Sequence, residues 1–441
     1  MRPEVSVVTG ADGQIALLHG SRWGEHLGSL TAAEISGLHE LSVRELTEPE
    51  LRAKLGPESS LLRRLHSGGW LTVTYGHSSR PLVTVRPLGP HRDPRPAPLV
   101  VPRLSRFAVL RRDGDLLMLE SPLARATVAV HDIEVVAVIH HLAGSGGRPL
   151  TVGLPPGIVD ELIAELAWYG FVHEAEEDVR PDLITEQWSP HELWFHSRSR
   201  AGYHDQPFGE TLWALDRHPP LPARREAWSG TAVALPTPES NAPPGPTFSA
   251  VLEARRTVRD AGQDPLTLGQ LGEFLHWTAR VKRVAVEETQ EVSQRPSPSG
   301  GALHALEIYP VVTNVSDLAP GMYHYDPFDH VLEPVPATDF ATRQLVARAA
   351  ATADGVVSPQ VLLVIAARFG RVMWKYQSMA YALILKDLGA LMQTMYLVAT
   401  SMDLAPCALG AGDVDLFAQA TGLNQLVEAS VGEFILNTRA T

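Results

Sequence analysis

Strand-like apolar runs at residues 5–8 and 15–18 flank Asp12-Gly13, a pattern that predicts a β-hairpin closed by a tight turn. The pattern returns about 101 positions later, where Asp113-Gly114 lies between apolar runs at 107–110 and 116–119. At the same offset Ile35, Leu38 and Leu41 fall on Val136, Ile139 and Leu142, each set three apart on one helical face. Leu62 and Leu65 fall on Ile163 and Leu166 of a later helix, and Gly69-Trp70 falls on Gly170-Phe171, where glycine ends that helix and a strand begins. Four elements matched in one register make the first 180 residues a duplication. Each copy reads hairpin, helix, helix, helix, strand in about eighty residues, the order of a winged-helix domain. The expected modules are 1–90 and 101–180.

The pattern then changes. Residues 181–247 carry Pro219-Pro-Leu-Pro and Pro243-Pro-Gly-Pro246, a density that opposes a regular core and predicts an extended linker. Ser189-Pro-His-Glu inside it is a fair helix start. Residues 248–441 read as an α+β domain. A helix is expected from about Ser249, and Thr267 with Gln270 forms a capping box for another at Leu268. Strands are expected at 308–312, 323–325, 331–335, 361–366 and 430–435, and the continuously apolar 361–366 run suits a central strand. The segment 373–402 is almost uniformly apolar, with Lys386 and Asp387 its interior charges, and predicts a helix buried on most faces.

Composition narrows the function classes. A chain of 441 residues with 44% hydrophobic content should fold around two or three cores. A single cysteine, Cys407, excludes an internal disulfide framework and a Cys-based zinc site, and its apolar setting favours inert packing. The first residues show no apolar signal core and no run reaches about 18 uncharged apolar residues, so the expectation is a cytoplasmic protein that does not engage membranes. A net charge of −13 argues against a phosphate-backbone binder. Neither duplicated module has a helix loaded with Arg and Lys, and the second is followed by Glu174-Ala-Glu176-Glu177-Asp178. No nucleic acid partner is expected. Peptide docking along an edge strand and a purely supporting role stay open as equals.

Three groups in the last domain carry chemistry. Lys375-Tyr376, placed at the head of the apolar helix, could handle a proton, because burial lowers an amine's pKa and a phenol can donate or accept. The alternative is a lysine at the solvated first turn and a tyrosine packed with its hydroxyl satisfied. Arg255, Arg256, Thr257 and Arg259 offer guanidinium forks and a hydroxyl to a phosphate monoester. Ser297-Pro298-Ser299-Gly300-Gly301 is a small-residue loop whose backbone N–H groups can approach a planar ring or an anion. Together they outline a phosphorylated planar cofactor.

Residues 248–437 resemble the FMN-dependent nitroreductase superfamily, and within it the SagB-type azoline dehydrogenases of thiazole and oxazole peptide biosynthesis. Arg255-Arg256-Thr257-Val-Arg259 resembles the family's phosphate motif, with threonine in a serine place, and the 297–301 loop followed by Glu307 resembles its flavin-ring loop. Lys375-Tyr376 falls where the azoline oxidases have a Lys-Tyr pair, and Asp387-Leu-Gly389 with Gln393 matches the continuation of that helix. Leu409-Gly410-Ala411-Gly412 resembles a later flavin loop, and Arg439 a C-terminal phosphate contact.

The resemblance implies a nitroreductase-like FMN-binding domain behind two tandem winged-helix-like domains. It implies oxidation of thiazolines or oxazolines in a modified precursor peptide, with oxygen restoring the flavin, Lys375 or Tyr376 as the base, and a structural role for Glu307. It also implies a homodimer and a cyclodehydratase complex as a setting. A general flavin reductase or nitroreductase acting on small molecules would share the flavin motifs but have little use for Lys375-Tyr376, and a peptide dehydrogenase acting on a different bond would share every feature.

Overall fold

A computed structural model describes the chain except residues 3, 21–22, 57–58, 78–79, 92, 145–149, 176–182, 203, 239–244, 288–289, 354–357 and 441. Glu176-Glu177-Asp178 and Pro243-Pro244, singled out above, lie outside the described residues. The chain divides into two compact units, Met1–Gln206 and Pro207–Thr441.

In the first unit the Asp-Gly turns form as expected, with Gly13 and Gly114 in the left-handed region that a tight turn requires. Strands Val5–Thr9 and Ile15–His19 pair as a hairpin, and Trp23–Gly28 adds a third antiparallel strand. Helices Ala32–Val43, Glu48–Leu55 and Leu61–Ser67 follow. The first two begin in capping boxes, Thr31 with Glu34 and Thr47 with Glu50, which satisfy orphan N–H groups at each helix start. Leu17, Leu38, Leu65 and Trp70 close this core.

The second copy contributes strands Val109–Asp113, Leu116–Glu120 and Ala126–Val130, helices Ile133–Leu142 and Pro156–Trp168, and strand Val172–Glu174 on Pro102–Leu104. Each copy therefore has a third strand before its helices, which the hairpin-first pattern does not predict. A five-stranded antiparallel sheet runs through both copies: Val73–His77, Arg80–Pro87, Ala126–Val130, Leu116–Glu120, Val109–Asp113. Helix Pro190–Arg198, capped by Ser189 as its sequence predicts, also belongs to this unit.

The segment expected to be linker enters the second unit at Pro207 and forms short strands at Gly209–Glu210 and Val233–Ala234. The core of this unit is a seven-stranded antiparallel sheet ordered Val233–Ala234, Val331–Pro334, Gly321–Asp326, Leu306–Val312, Val361–Arg368, Glu428–Thr438, Leu404–Leu409. Val361–Arg368 is buried along its whole length, because both sheet faces are covered. Helices Leu268–Ala279 and Ala380–Ser401 pack one face through Leu271, Phe274, Ile384, Leu391 and Met395. Asp339–Thr352 and Val414–Thr421 pack the other through Leu345, Leu416 and Phe417. By length and hydropathy Ala380–Ser401 could cross a membrane, yet its Ile384, Leu388 and Met395 are buried in this core.

The second face also buries ions. His324 Nε2 lies 3.2 Å from Glu307, its Nδ1 lies 2.9 Å from Glu333, and Arg368 reaches Glu307 at 3.3 Å. Glu307 is thus spent on a buried cluster inside the sheet, in keeping with a structural role.

Candidate functional site

Lys375 and Tyr376 do not ride the long helix. A short helix, Gly370–Met373, precedes them, Tyr376–Gln377 is a two-residue strand, and Ser378 at φ 62° turns the chain before the helix begins at Ala380. The cause is the 207–221 segment, which crosses this turn as a strap. Gly209–Glu210 pairs antiparallel with Tyr376–Gln377, and the Thr211 and Leu212 amides donate to the Lys375 carbonyl at 3.1 and 3.0 Å. The Trp213 indole donates to the Met373 carbonyl, the Trp374 indole to that of His218, and the Arg371 guanidinium to that of Leu221. The contacts to the Met373 and Lys375 carbonyls satisfy backbone groups that a helix would have satisfied internally, and the other two hold the strap in place.

Lys375 accordingly sits in a half-open setting. Its Nζ lies 3.1 Å from a Glu210 oxygen, so the expectation of an amine neutralised by burial in a helix gives way to an ion pair. Burial pushes the Tyr376 hydroxyl above its ordinary value; the nearby Lys375 charge opposes the shift and Glu210 adds to it.

The small-residue loop comes to this tyrosine. Gly301 adopts φ +62°, and a Cβ placed on it would stand 2.8 Å from the Tyr376 hydroxyl oxygen. The loop is tied to the long helix by Asp387, which accepts from the Ser299 hydroxyl at 2.6 Å and the Gly300 amide at 3.0 Å. Ser299 in turn accepts the His304 amide at 3.0 Å. Burial raises the Asp387 pKa, against the lowering effect of those two hydrogen bonds. Ser297, Pro298, Ser299, His304 and Asp387 line a small cavity with Arg295. Burial, with the charges of Arg295 and Arg371, lowers His304 to about 3, which keeps it neutral.

Arg295, unremarked in the sequence, is the orphan of the cavity. Its Nη1 makes a long 3.4 Å contact to the Leu306 carbonyl, while Nε and Nη2 are buried without a partner. A buried guanidinium with two unused donors fits the acceptor edge of a heteroaromatic ring. The only sequence signal was its place directly before the Pro/Ser/Gly loop.

The arginine motif lies elsewhere along the same helix. Helix Phe248–Ala254 ends at Arg255, and the Val258 amide donates to the Pro406 carbonyl on the outer edge of strand Leu404–Leu409. Tyr396 pins this segment: its hydroxyl bonds Thr257 Oγ1 at 2.8 Å and accepts the Ala408 amide at 2.9 Å, and Arg255 lies over its ring at 5.4 Å. Arg256 and Arg259 are exposed. About nine residues of helix, ~13 Å of rise, separate Asp387 from Tyr396, so the loop and the arginine motif occupy different levels of one helix.

Gly410 and Ala411 are exposed just past the end of the edge strand, and beside them burial raises Glu433 to about 7. Arg439 is bridged to Ala261 through its backbone, close after the arginine motif, while its guanidinium pairs with Asp403 at 2.5 Å. Tyr376 and the loop thus converge, Thr257 and Arg255 converge on Tyr396, and the side chain of Arg439 is engaged separately.

The residues present fit FMN. The paired arginines and Thr257 suit its phosphate, the small residues of the loop expose backbone to a flat ring, and Arg295 offers donors to its polar edge. Comparisons with known proteins agree at the family level. The nitroreductase family model matches residues 252–434, and a model of the cyanobactin oxidase ThcOx matches residues 102–205. The MJ1384 protein of Methanocaldococcus jannaschii, named for the nitroreductases, is 32% identical over 161 residues, 36% of this chain and 77% of its own length. The microcin B17-processing protein McbC of Escherichia coli is 31% identical over 115 residues, 25% of this chain and 42% of McbC. Among solved structures, one from Ralstonia eutropha assigned to the nitroreductases has a TM-score of 0.39 at 24% identity, over 54% of this chain and all of the other. The E. coli McbBCD microcin synthetase with truncated pro-MccB17 has a TM-score of 0.36 at 20% identity, over 58% of this chain and 97% of the other.

Proposed function

We propose that this chain, which belongs to the nitroreductase family, oxidises thiazolines or oxazolines in a ribosomally made peptide to thiazoles or oxazoles. The observation that carries the reading is the Tyr376 hydroxyl held over Gly301, with Lys375 beside it, at the loop that suits the flavin ring. A reductase acting on small diffusible acceptors needs no such proton-handling pair. Two similarities support a peptide substrate: the cyanobactin oxidase model matches outside the nitroreductase match, and McbC is named for processing microcin B17.

Arg255, Arg256, Thr257 and Arg259 would hold the FMN phosphate, the 297–301 loop and Arg295 would hold its ring, and Gly410-Ala411 would supply a further flavin contact. FMN, when bound, supplies a two-electron acceptor for hydride, which oxygen then restores. The Lys375–Tyr376 pair takes the acidic proton next to the ring's carboxamide, and aromatisation drives the reaction forward.

The duplicated modules, read as winged-helix-like, dock the precursor peptide. In the first unit, Val73–His77 is an edge strand beside a cleft lined by Leu51, Leu62, Tyr75 and Glu161, a geometry suited to strand addition. The working form is a cytoplasmic homodimer able to join a cyclodehydratase.

The test is to mix yellow, flavin-loaded protein with a synthetic thiazoline peptide under air. A two-hydrogen mass loss is expected. Absence of that loss with intact flavin refutes the reaction, and full turnover by both Lys375→Ala and Tyr376→Phe refutes the role of the pair.

A further inference from the structure

Lys375 and Tyr376 cannot act alone as they stand, because both carry their protons. An amine in an ion pair is an ammonium, and a neutral phenol is too weak a base to keep an incoming proton unless its own moves on to an acceptor. The group with lone pairs free to accept one is the partner they share. Glu210 lies opposite Tyr376 in the two-strand register, with one oxygen 3.1 Å from Lys375 Nζ, and its carboxylate is near enough to the Tyr376 hydroxyl to help push that phenol above its ordinary value. Its position is fixed from outside the pair: the Thr211 and Leu212 amides bond the Lys375 carbonyl, and the Thr211 hydroxyl bonds Gln377 at 2.8 Å.

The neighbouring charged and titratable groups are committed elsewhere. The Arg371 guanidinium serves the carbonyls of Leu221, Glu291 and Leu303. The Glu291 carboxylate accepts the Ala223 amide, and the His218 ring packs edge-on to Trp213.

We propose that Glu210 is the positioning residue of the Lys375–Tyr376 pair, holding the lysine as an ammonium and receiving, through the Tyr376 hydroxyl, the proton that leaves the substrate. The substrate's C–H proton passes to Tyr376 Oη as the phenolic proton passes to a Glu210 oxygen, so the tyrosine ends as it began and the carboxylate ends protonated. The two electrons leave with the hydride of the neighbouring carbon, to the acceptor that the proposed function already names. Lys375 remains charged throughout and stabilises the negative charge that develops on the carboxamide oxygen. The relay rests on the proposed function for its substrate; the ion pair does not.

The experiment therefore has two arms, both on the full-length, flavin-loaded protein. In the first, Lys375 is labelled with acetic anhydride across a pH series and the extent read by mass spectrometry. Glu210→Gln is expected to lower the pH of half-labelling by about one unit, because a partly exposed counter-ion is lost, and Glu210→Asp to lie between. In the second arm, Glu210→Gln lowers kcat on a thiazoline peptide by about 10²-fold or more, with KM and flavin content held, and Glu210→Asp recovers part of it. An unchanged labelling profile overturns the hold on Lys375, and a kcat within about twofold of wild type overturns the relay. Should Glu210→Gln lose flavin, Glu210→Asp carries both readings: a wild-type labelling profile and kcat in that variant, whose shorter arm breaks the contact, overturn the proposal. A wild-type protein inert toward azoline peptides would refute the function, and the labelling arm would still decide the ion pair.

Discussion

Tyr396→Phe isolates one atom on which the arginine motif depends. The hydroxyl accepts the Ala408 amide at 2.9 Å and bonds Thr257 Oγ1 at 2.8 Å. Ala408 lies on the outermost strand of the sheet, so this amide has no strand partner to return to. A partly buried N–H left unpaired costs about 1–2 kcal/mol, and the second hydrogen bond adds ~0.5–1 kcal/mol, or about 2 kcal/mol together. For a unit of this size that lowers Tm by ~4–8 °C. The effect on cofactor should be selective. The 2.8 Å bond between the two hydroxyls fixes the orientation of the Thr257 side chain, on which a bond to a phosphate oxygen would depend. Losing that orientation removes about 1.4 kcal/mol of charge-assisted bonding, or about tenfold in FMN affinity. Riboflavin, which lacks the phosphate, should bind within about twofold of wild type. Fluorescence titration of the apoprotein with both flavins, beside thermal melts, reads all three quantities. A cycle with Thr257→Val should show the second substitution adding little once the first is made. Equal weakening of FMN and riboflavin, or full additivity with Thr257→Val, would refute the reasoning.

Arg295→Met should split binding from stability: removing a buried charge with two unused donors raises the apoprotein Tm, while FMN and riboflavin bind more weakly by a similar factor, since the contact is to the ring. Gly301→Ala places a methyl group 2.8 Å from the Tyr376 oxygen on a left-handed backbone, so ~1–2 kcal/mol of stability and about tenfold or more in kcat should be lost, read by melts and turnover. His324→Gln should cost about 3 kcal/mol by chemical denaturation, because Glu333 loses its buried cation and Glu307 keeps only Arg368. Burial opposes the imidazolium of His324, but hydrogen bonds to Glu307 and Glu333 hold its pKa above the ordinary value, and His324 holds both carboxyls below theirs against burial. Wild-type stability from this cluster should therefore be complete between the ordinary values of 4.5 and 6.5, fading as pH falls through the lowered carboxyl values or rises through the raised histidine value. Denaturation midpoints of wild type and His324→Gln across that range check the sign, and an alkaline limb identical in both proteins would exclude His324 as its source.

What was legible in the sequence is what local chemistry determines. The Asp-Gly turns, the capping box at Thr267, the helix start at Ser189 and the apolar 361–366 strand each depend on neighbours a few residues away, and all form where expected. Strand Leu404–Leu409 was missed because Pro406 argues against a strand; an edge position tolerates it, since its outward carbonyl accepts the Val258 amide. Trp23–Gly28 was missed because Gly-Glu-His breaks the alternation that marks a strand.

The site was legible as a set of residue types and illegible as a shape, for the same reason. Apolar composition alone cannot tell a helix that starts at Met373 from one that starts at Ala380, because the break at Ser378 is imposed by a strap whose residues lie more than 150 positions earlier. Arg295 and Tyr396 look like a loop charge and a core filler until the fold brings a cavity to one and Thr257 to the other. Glu210 sat in a stretch that proline content marked as linker, yet strand pairing sets it 3.1 Å from Lys375. Residue type locates the Lys-Tyr pair; the carboxylate beside it follows from strand pairing within the unit rather than from any motif, and the proposed relay depends on that distant partner.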